Sequence, residues 1–151
     1  MNTYETLLRE AEHEGVEVSE EKIKSMALKG LYSEKTIWIN RGLSLVEKGC
    51  VLAEEMDHYY TTYGDILNQS TIIDRKQEKR ARNWAFERMV PLKKIIQAYN
   101  FGTSNSFELA DYLNVTEQFL IDAIQHYKEK FGLYTKIGAY TITFDPLGVF
   151  K

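Results

Sequence analysis

Residues 44–58, S-L-V-E-K-G-C-V-L-A-E-E-M-D-H, decide the fold of this chain because they contain its best-marked helix. Ser44 and Glu47 have the spacing of a capping box, in which two side chains accept hydrogen bonds from backbone donors at the helix start. Gly64 is the predicted stop of this helix. At about 100° per residue, one face is apolar and is predicted to lie in the core. Its members are Leu45, Leu52, Met56, Tyr59 and Tyr63.

The opposite face of this helix carries an acid and an imidazole. Glu54 and His58 are about 40° apart around a helix, so both side chains can face one ion. In the pattern H-E-x-x-H, two histidines at this spacing bind zinc, and the glutamate after the first histidine activates a water. Here Glu54 stands at the first histidine position, Glu55 follows it, and His58 is the second histidine. The same spacing also describes an ordinary pair of neighbours on a helix, and spacing alone leaves both interpretations open.

Helical and strand patterns alternate along the rest of the chain. The elements predicted before residue 44 are a helix capped by Asn2 and stopped by Gly15, a strand at 16–18, an ambiguous stretch at 19–28, and a hairpin with strands at 31–32 and 36–40. The elements predicted after residue 64 are a helix from Asp74 to Val90 that ends at Pro91, helices at 92–101, 107–113 and 117–131, and a hairpin with strands at 133–136 and 140–144.

The composition is that of a globular chain of one domain. With 151 residues, 44% of them hydrophobic, the chain can bury a proper core. A net charge of -3 gives no general attraction to nucleic acid, and no stretch is apolar for long enough to span a membrane. The single cysteine, Cys50, excludes an internal disulfide and fits a reducing compartment. Residues 1–14 lack the apolar run of a signal peptide, so we expect a cytoplasmic protein.

Three segments follow one another in a recognisable order. They are T-I-W-I-N with the following L-S at 36–44, C-V-L-A-E-E-M-D-H-Y at 50–59, and E-K-R-A-R-N-W-A at 78–85. Together they resemble the ImmA/IrrE family of metallo-endopeptidases, including its phage-borne members. The first segment is similar to the strand and cap before the metal helix, the second to L-A-H-E-L-G-H, and the third to the E-x-x-A-x-x-F-A helix. The resemblance is strongest over residues 36–91.

The resemblance implies a zincin-like α+β fold. A small sheet would pack on the metal-site helix, and a helical part with a terminal hairpin would follow. It implies one domain over residues 1–151, with the metal-site region at 1–91 and the helical and hairpin region at 92–151.

The resemblance also implies a metal site, with His58 and Glu78 as ligands and Glu55 as the catalytic base. Glu54 stands where the family usually has its first histidine. With Glu54, the ligand set has one imidazole and two carboxylates, which lowers the expected affinity for zinc and favours harder cations such as manganese or magnesium. The carboxylates gathered at this implied site would repel one another unless a cation or basic side chains such as Arg80 neutralise them.

Three hypotheses on function follow. The resemblance implies a metal-dependent endopeptidase that cleaves a helix-turn-helix repressor in phage or mobile-element regulation. The substitution at Glu54 supports an alternative, an inactive family member that relieves repression by binding the repressor without cutting it. Residues 108–116 also resemble the start of a helix-turn-helix. Glu117 and Asp122 would repel phosphates in the recognition helix, so nucleic acid is the disfavoured partner and a protein the favoured one.

Overall fold

A computed structural model of the chain describes residues 2–22, 29–61 and 83–151. The predicted stop at Gly64 and the predicted helix start at Asp74 lie outside these residues. Contacts divide the chain into two units, Met1–Ala85 and Phe86–Lys151. The expectation of one domain, with regions at 1–91 and 92–151, stays a prediction.

The first unit contains two long helices and a small sheet. Its elements are α1 (Thr3–His13), β1 (Glu17–Glu21), β2 (Gly30–Ser33), β3 (Thr36–Asn40) and α2 (Leu45–Thr61). Helical residues at 83–89, here called α3, follow and contain the boundary between Ala85 and Phe86.

Side-chain caps start both helices as the sequence predicts. The Asn2 side chain accepts a hydrogen bond from the Glu5 amide at 2.8 Å. The Ser44 hydroxyl accepts one from the Glu47 amide at 3.2 Å, and the Glu47 carboxylate accepts one from the Ser44 amide at 3.3 Å. The predicted capping box is therefore confirmed, and it sets the start of the helix that carries the candidate site.

The sheet of the first unit has the strand order β1-β3-β2. The central strand β3 is parallel to β1 and antiparallel to β2. The predicted hairpin is confirmed, and its turn residues Glu34 and Lys35 have φ angles of 48° and 61°. Positive φ at both positions matches the right-handed twist of the two strands. Ile37 and Ile39 alternate with Trp38 along β3 and are fully buried.

Helix α2 packs against α1, β2 and β3. Leu52 and Met56 are fully buried, which confirms that side of the predicted apolar stripe. Leu45 is 58% exposed, so its prediction as a core residue is wrong. Leu45 is the first residue of α2. Periodicity predicts which face of a helix points to the core, but a side chain on that face is buried only where neighbouring elements extend far enough to cover it.

The second unit contains helices followed by an antiparallel sheet. Its elements are α4 (Leu92–Phe101), α5 (Ser106–Leu113), α6 (Glu117–Phe131), β4 (Tyr134–Ile137), β5 (Tyr140–Phe144) and β6 (Leu147–Phe150). The predicted bounds of α4 and α6 are confirmed, and both helices end at a glycine with positive φ. Strand β6 is not among the sequence expectations; it pairs with β5. The α+β class is confirmed and is compatible with a zincin-like domain.

Within the described ranges, no helix is both long enough and apolar enough to cross a lipid bilayer.

Candidate functional site

The predicted site residues on α2 lie where the helix passes from the core to the surface. Glu54, Glu55 and His58 are partly exposed, whereas Asp57 between them is fully buried. Cys50 and Val51, one turn earlier, are buried as well. The acids and the imidazole therefore stand at the edge of an apolar surround, which strengthens electrostatic interactions relative to open water.

Strand β2 lies directly against the turn of α2 that carries Glu55. A Cβ atom added to Gly30 would lie 2.5 Å from Val51 Cγ1 and 3.4 Å from Glu55 Cγ. Val51 and Glu55 are four residues apart and share one helix face. Only a residue without a side chain lets the backbone of β2 approach this face so closely.

The close approach of β2 to Glu55 bears on the chemistry of the site because of the position of β2 in its sheet. Among the described strands, β2 pairs with β3 alone and stands at the edge of the sheet. An edge strand presents backbone donors and acceptors to which an extended peptide can add as a further strand. The site therefore combines an edge strand with a carboxylate next to it.

A row of aromatic rings extends from β2 along the last turns of α2. The ring centroids of Tyr32 and Tyr59 are 6.4 Å apart, and those of Tyr59 and Tyr60 are 5.2 Å apart. Tyr60 contacts Trp84 with centroids 5.3 Å apart. Trp84 belongs to the same sequence segment as the predicted ligand Glu78. The ring contact therefore brings the described end of that segment to the end of α2 that carries His58.

Helix α1 anchors α2 beside the site. The Tyr60 hydroxyl donates to Glu10 Oε1 at 3.1 Å, and the Tyr59 hydroxyl donates to Glu14 Oε2 at 3.4 Å. Burial, followed by the Glu10 carboxylate, raises the pKa of Tyr60 above its ordinary value.

A second anchor holds the start of α2. Glu20 accepts hydrogen bonds from the Tyr4 hydroxyl at 2.8 Å and from Lys48 Nζ at 2.6 Å. The Lys48 and Tyr4 hydrogen bonds lower the pKa of the Glu20 carboxyl. This cluster joins α1, β1 and α2, so the site helix is held near both of its ends.

The described donors fit part of a metal site. Glu54 offers a carboxylate oxygen and His58 an imidazole nitrogen, and zinc and manganese accept both kinds of ligand. The predicted third ligand, Glu78, lies outside the described residues. Within residues 2–22, 29–61 and 83–151, no three histidine, cysteine or acidic side chains are grouped as a metal site requires. The ligand set and the identity of the metal stay predictions.

Gly30 and the aromatic row were not predicted from the sequence to be parts of the site. A glycine that opens a short strand is the one signal that could have pointed to a close approach of backbones. The aromatic row joins residues far apart in the chain, and no local pattern reports such a contact.

Comparison with known proteins supports the family resemblance. No curated protein and no solved structure matches the chain. A family model described as Peptidase_M78: IrrE N-terminal-like domain matches residues 11–124, which is well over half of the chain. The matched range contains Glu54, Glu55, His58 and Glu78. The chain therefore belongs to the Peptidase_M78 (IrrE N-terminal-like) family, and this membership supports a metal-dependent, protease-like function.

Proposed function

We propose that this protein is a metal-dependent endopeptidase that cleaves a helix-turn-helix repressor in phage or mobile-element regulation. Glu54, His58 and Glu78 hold a divalent cation, zinc or manganese, and Glu55 is the catalytic base. The observation that carries the proposal is the position of Glu55 on the family-matched helix, against the edge strand β2.

The substrate binds as an extended segment along β2. Backbone groups of an edge strand recognise a peptide with little regard to its side chains, which suits hydrolysis of a peptide bond. Because Gly30 keeps the β2 backbone next to Glu55, a peptide on this edge brings its own backbone near the carboxylate. Binding energy from the added strand thereby orients the bond to be cut.

Glu55 moves the proton during hydrolysis. A bound divalent cation supplies Lewis acidity, which polarises the peptide carbonyl and makes a water more acidic. The Glu55 carboxylate accepts a proton from the attacking water as the new carbon–oxygen bond forms. It then gives that proton to the leaving nitrogen as the carbon–nitrogen bond breaks. The second proton of the water passes from the new carboxyl group to the amine, so the products are a carboxylate and an ammonium group, and Glu55 returns to its carboxylate form.

Metal binding is tested on the full chain without reference to activity. Isothermal titration with Zn²⁺ and with Mn²⁺ is measured for the wild type and for His58→Gln and Glu78→Gln. We expect one cation per chain and a loss of affinity of at least about tenfold in both variants. Glu17→Gln is the matched control, because Glu17 is an exposed acid on β1, and its affinity should equal that of the wild type.

Cleavage is tested with the helix-turn-helix repressor encoded nearest to this gene. We expect wild-type protein to cut it in the presence of metal and Glu55→Gln to lose the activity by about a hundredfold or more. If Glu55→Gln still relieves repression in cells, the protein acts by binding the repressor without cutting it. Glu54, which stands in place of the usual first histidine ligand, is compatible with such an inactive family member. A protein that neither binds metal nor cuts contradicts the proposal.

A further inference from the structure

The second unit carries a shallow groove with an aromatic rim. The groove has a volume of about 270 Å³ and lies between the end of α4 and α5. Phe101, Phe107 and Tyr112 line it and are 76%, 66% and 39% exposed. The rings of Phe101 and Tyr112 have centroids 5.2 Å apart. Aromatic side chains clustered on a surface in this way are typical of a site that a partner covers.

Two carboxylates line the same groove. Glu108 is held in place by hydrogen bonds from the Ser104 amide at 3.0 Å and the Ser104 hydroxyl at 3.2 Å. Asp111 lies three residues further on the same helix and is exposed. The rim of the groove is therefore aromatic and anionic together.

The sequence around the groove has charges of one sign. No lysine or arginine occurs from Ile95 to Tyr127. The acids in this stretch are Glu108, Asp111, Glu117 and Asp122, and all of them are exposed. Such a surface attracts cationic partners and repels phosphates, which excludes nucleic acid as the occupant.

We propose that the groove docks an arginine-rich surface of a protein partner. Guanidinium groups stack on aromatic faces and form paired hydrogen bonds with carboxylates, so they match both components of the rim. The identity of the partner rests on the proposed function: its surface is the basic face with which the repressor contacts DNA phosphates. Docking there brings the peptidase to repressor that is free of DNA.

The test uses the full chain with Glu55→Gln, so that no probe is cut. The probe is a fluorescent peptide of three Arg-Ala-Leu-Arg repeats, and anisotropy reports its binding. A peptide with glutamine in place of every arginine is the control probe. We expect the arginine peptide alone to bind, and Phe107→Ala and Asp111→Asn each to weaken it by about three- to fivefold at low salt.

Matched control variants separate docking in the groove from nonspecific electrostatic or hydrophobic binding of the peptide. Phe150→Ala removes an exposed aromatic ring on β6, and Glu12→Gln removes an exposed acid on α1. Neither should change the affinity for the arginine peptide. Because all four side chains are exposed, thermal unfolding midpoints should agree among the variants and show that each is folded. Equal affinities for groove and control variants, or equal binding of the glutamine peptide, would overturn the proposal.

Two further outcomes decide between related explanations. If sedimentation shows a dimer that Phe107→Ala disrupts, a second copy of the chain covers the groove and the docking proposal is wrong. Peptide binding requires neither metal nor cleavage. Loss of metal binding and cleavage with peptide binding intact would reject the proposed function alone, whereas groove variants that bind the peptide normally would reject docking alone.

Discussion

Gly30 of β2 lies so close to Val51 of α2 that a methyl group at residue 30 would stand 2.5 Å from Val51 Cγ1. Glu55 Cγ would be 3.4 Å from the same methyl group, and the carbonyl oxygen of Trp38 3.3 Å from it. The distance between the edge strand and the candidate catalytic helix is therefore set by a single missing side chain. Any residue larger than glycine must move the strand, the helix or the Val51 side chain.

Gly30→Ala should reduce the free energy of unfolding by about 1–3 kcal/mol, because overpacking forces side chains and backbone to shift. Adding Val51→Ala removes the closest atom, so the double variant should lose less stability than the sum of the two single variants. Urea unfolding measures all three. Gly42→Ala is the control, since its added methyl group would meet nothing closer than the Asn40 side chain at 3.6 Å. Full additivity of the two substitutions would show that the contact does not constrain the fold.

Glu54→His should increase the affinity for zinc by at least about tenfold, because an added imidazole restores the nitrogen-rich ligand set that zinc prefers. Elemental analysis and titration of the untagged protein measure this effect. Glu54→His combined with His58→Ala removes one imidazole again and should cancel the gain. Unchanged zinc affinity in the single variant would argue against a metal pocket at this helix.

Glu20→Gln should lower the free energy of unfolding by about 1 kcal/mol at neutral pH, because the Glu20 carboxylate accepts hydrogen bonds from Lys48 and Tyr4. Partial screening by solvent keeps this effect small. The Lys48 hydrogen bond, followed by that of Tyr4, lowers the pKa of Glu20 below 4.5 in the folded protein. The Glu20 carboxyl is therefore protonated at a lower pH in the folded state than in the unfolded state. The carboxylate contributes its full stabilisation above pH 4.5 and loses it as the pH falls through the folded pKa.

Unfolding of the wild type and of Glu20→Gln across pH 3–7 measures this dependence. The two curves should converge as the pH falls through the folded pKa of Glu20, because the wild-type carboxyl then loses its charge. Glu17→Gln, which removes an exposed acid on the same strand, should be as stable as the wild type at neutral pH. A difference between Glu20→Gln and wild type that does not shrink as the pH falls would contradict the role of the charge.

Tyr60 should stabilise the first unit through both its ring and its hydroxyl. Tyr60→Phe keeps the contact with Trp84 and loses the hydrogen bond to Glu10, which should cost about 1 kcal/mol. Tyr60→Ala loses both and should cost about 2–3 kcal/mol. Chemical unfolding followed by tryptophan fluorescence compares them. Equal stability of the two variants would show that the ring contact contributes nothing.

Local signals predicted the helix limits well. Asn2, Ser44 and Thr116 each accept a hydrogen bond from a backbone amide three residues later, and Gly102 and Gly132 end their helices. These interactions join residues within one or two turns, so the sequence reports them directly. The hairpin turn at Glu34 and Lys35 is local in the same sense. The family motifs are likewise short, and the family match over residues 11–124 supports them.

Contacts between distant segments were beyond such signals. The parallel pairing of β1 with β3, the strand β6, the exposure of Leu45 and the approach of Gly30 to α2 all depend on how separate elements pack. Their sequence patterns are compatible with several arrangements, and only the sum of all packing interactions selects one.

The sequence by itself determined where α1 and α2 begin, where α4 and α6 begin and end, which family the chain belongs to, and that Glu54, Glu55 and His58 share one helix. The tertiary structure alone decided that an edge strand lies against Glu55, that Asp57 is buried whereas Glu55 and His58 are partly exposed, and that aromatic rings and acids meet in one groove. The physical reason is range: caps and periodicity act over a few residues along the chain, whereas a site is made by side chains that only folding brings together.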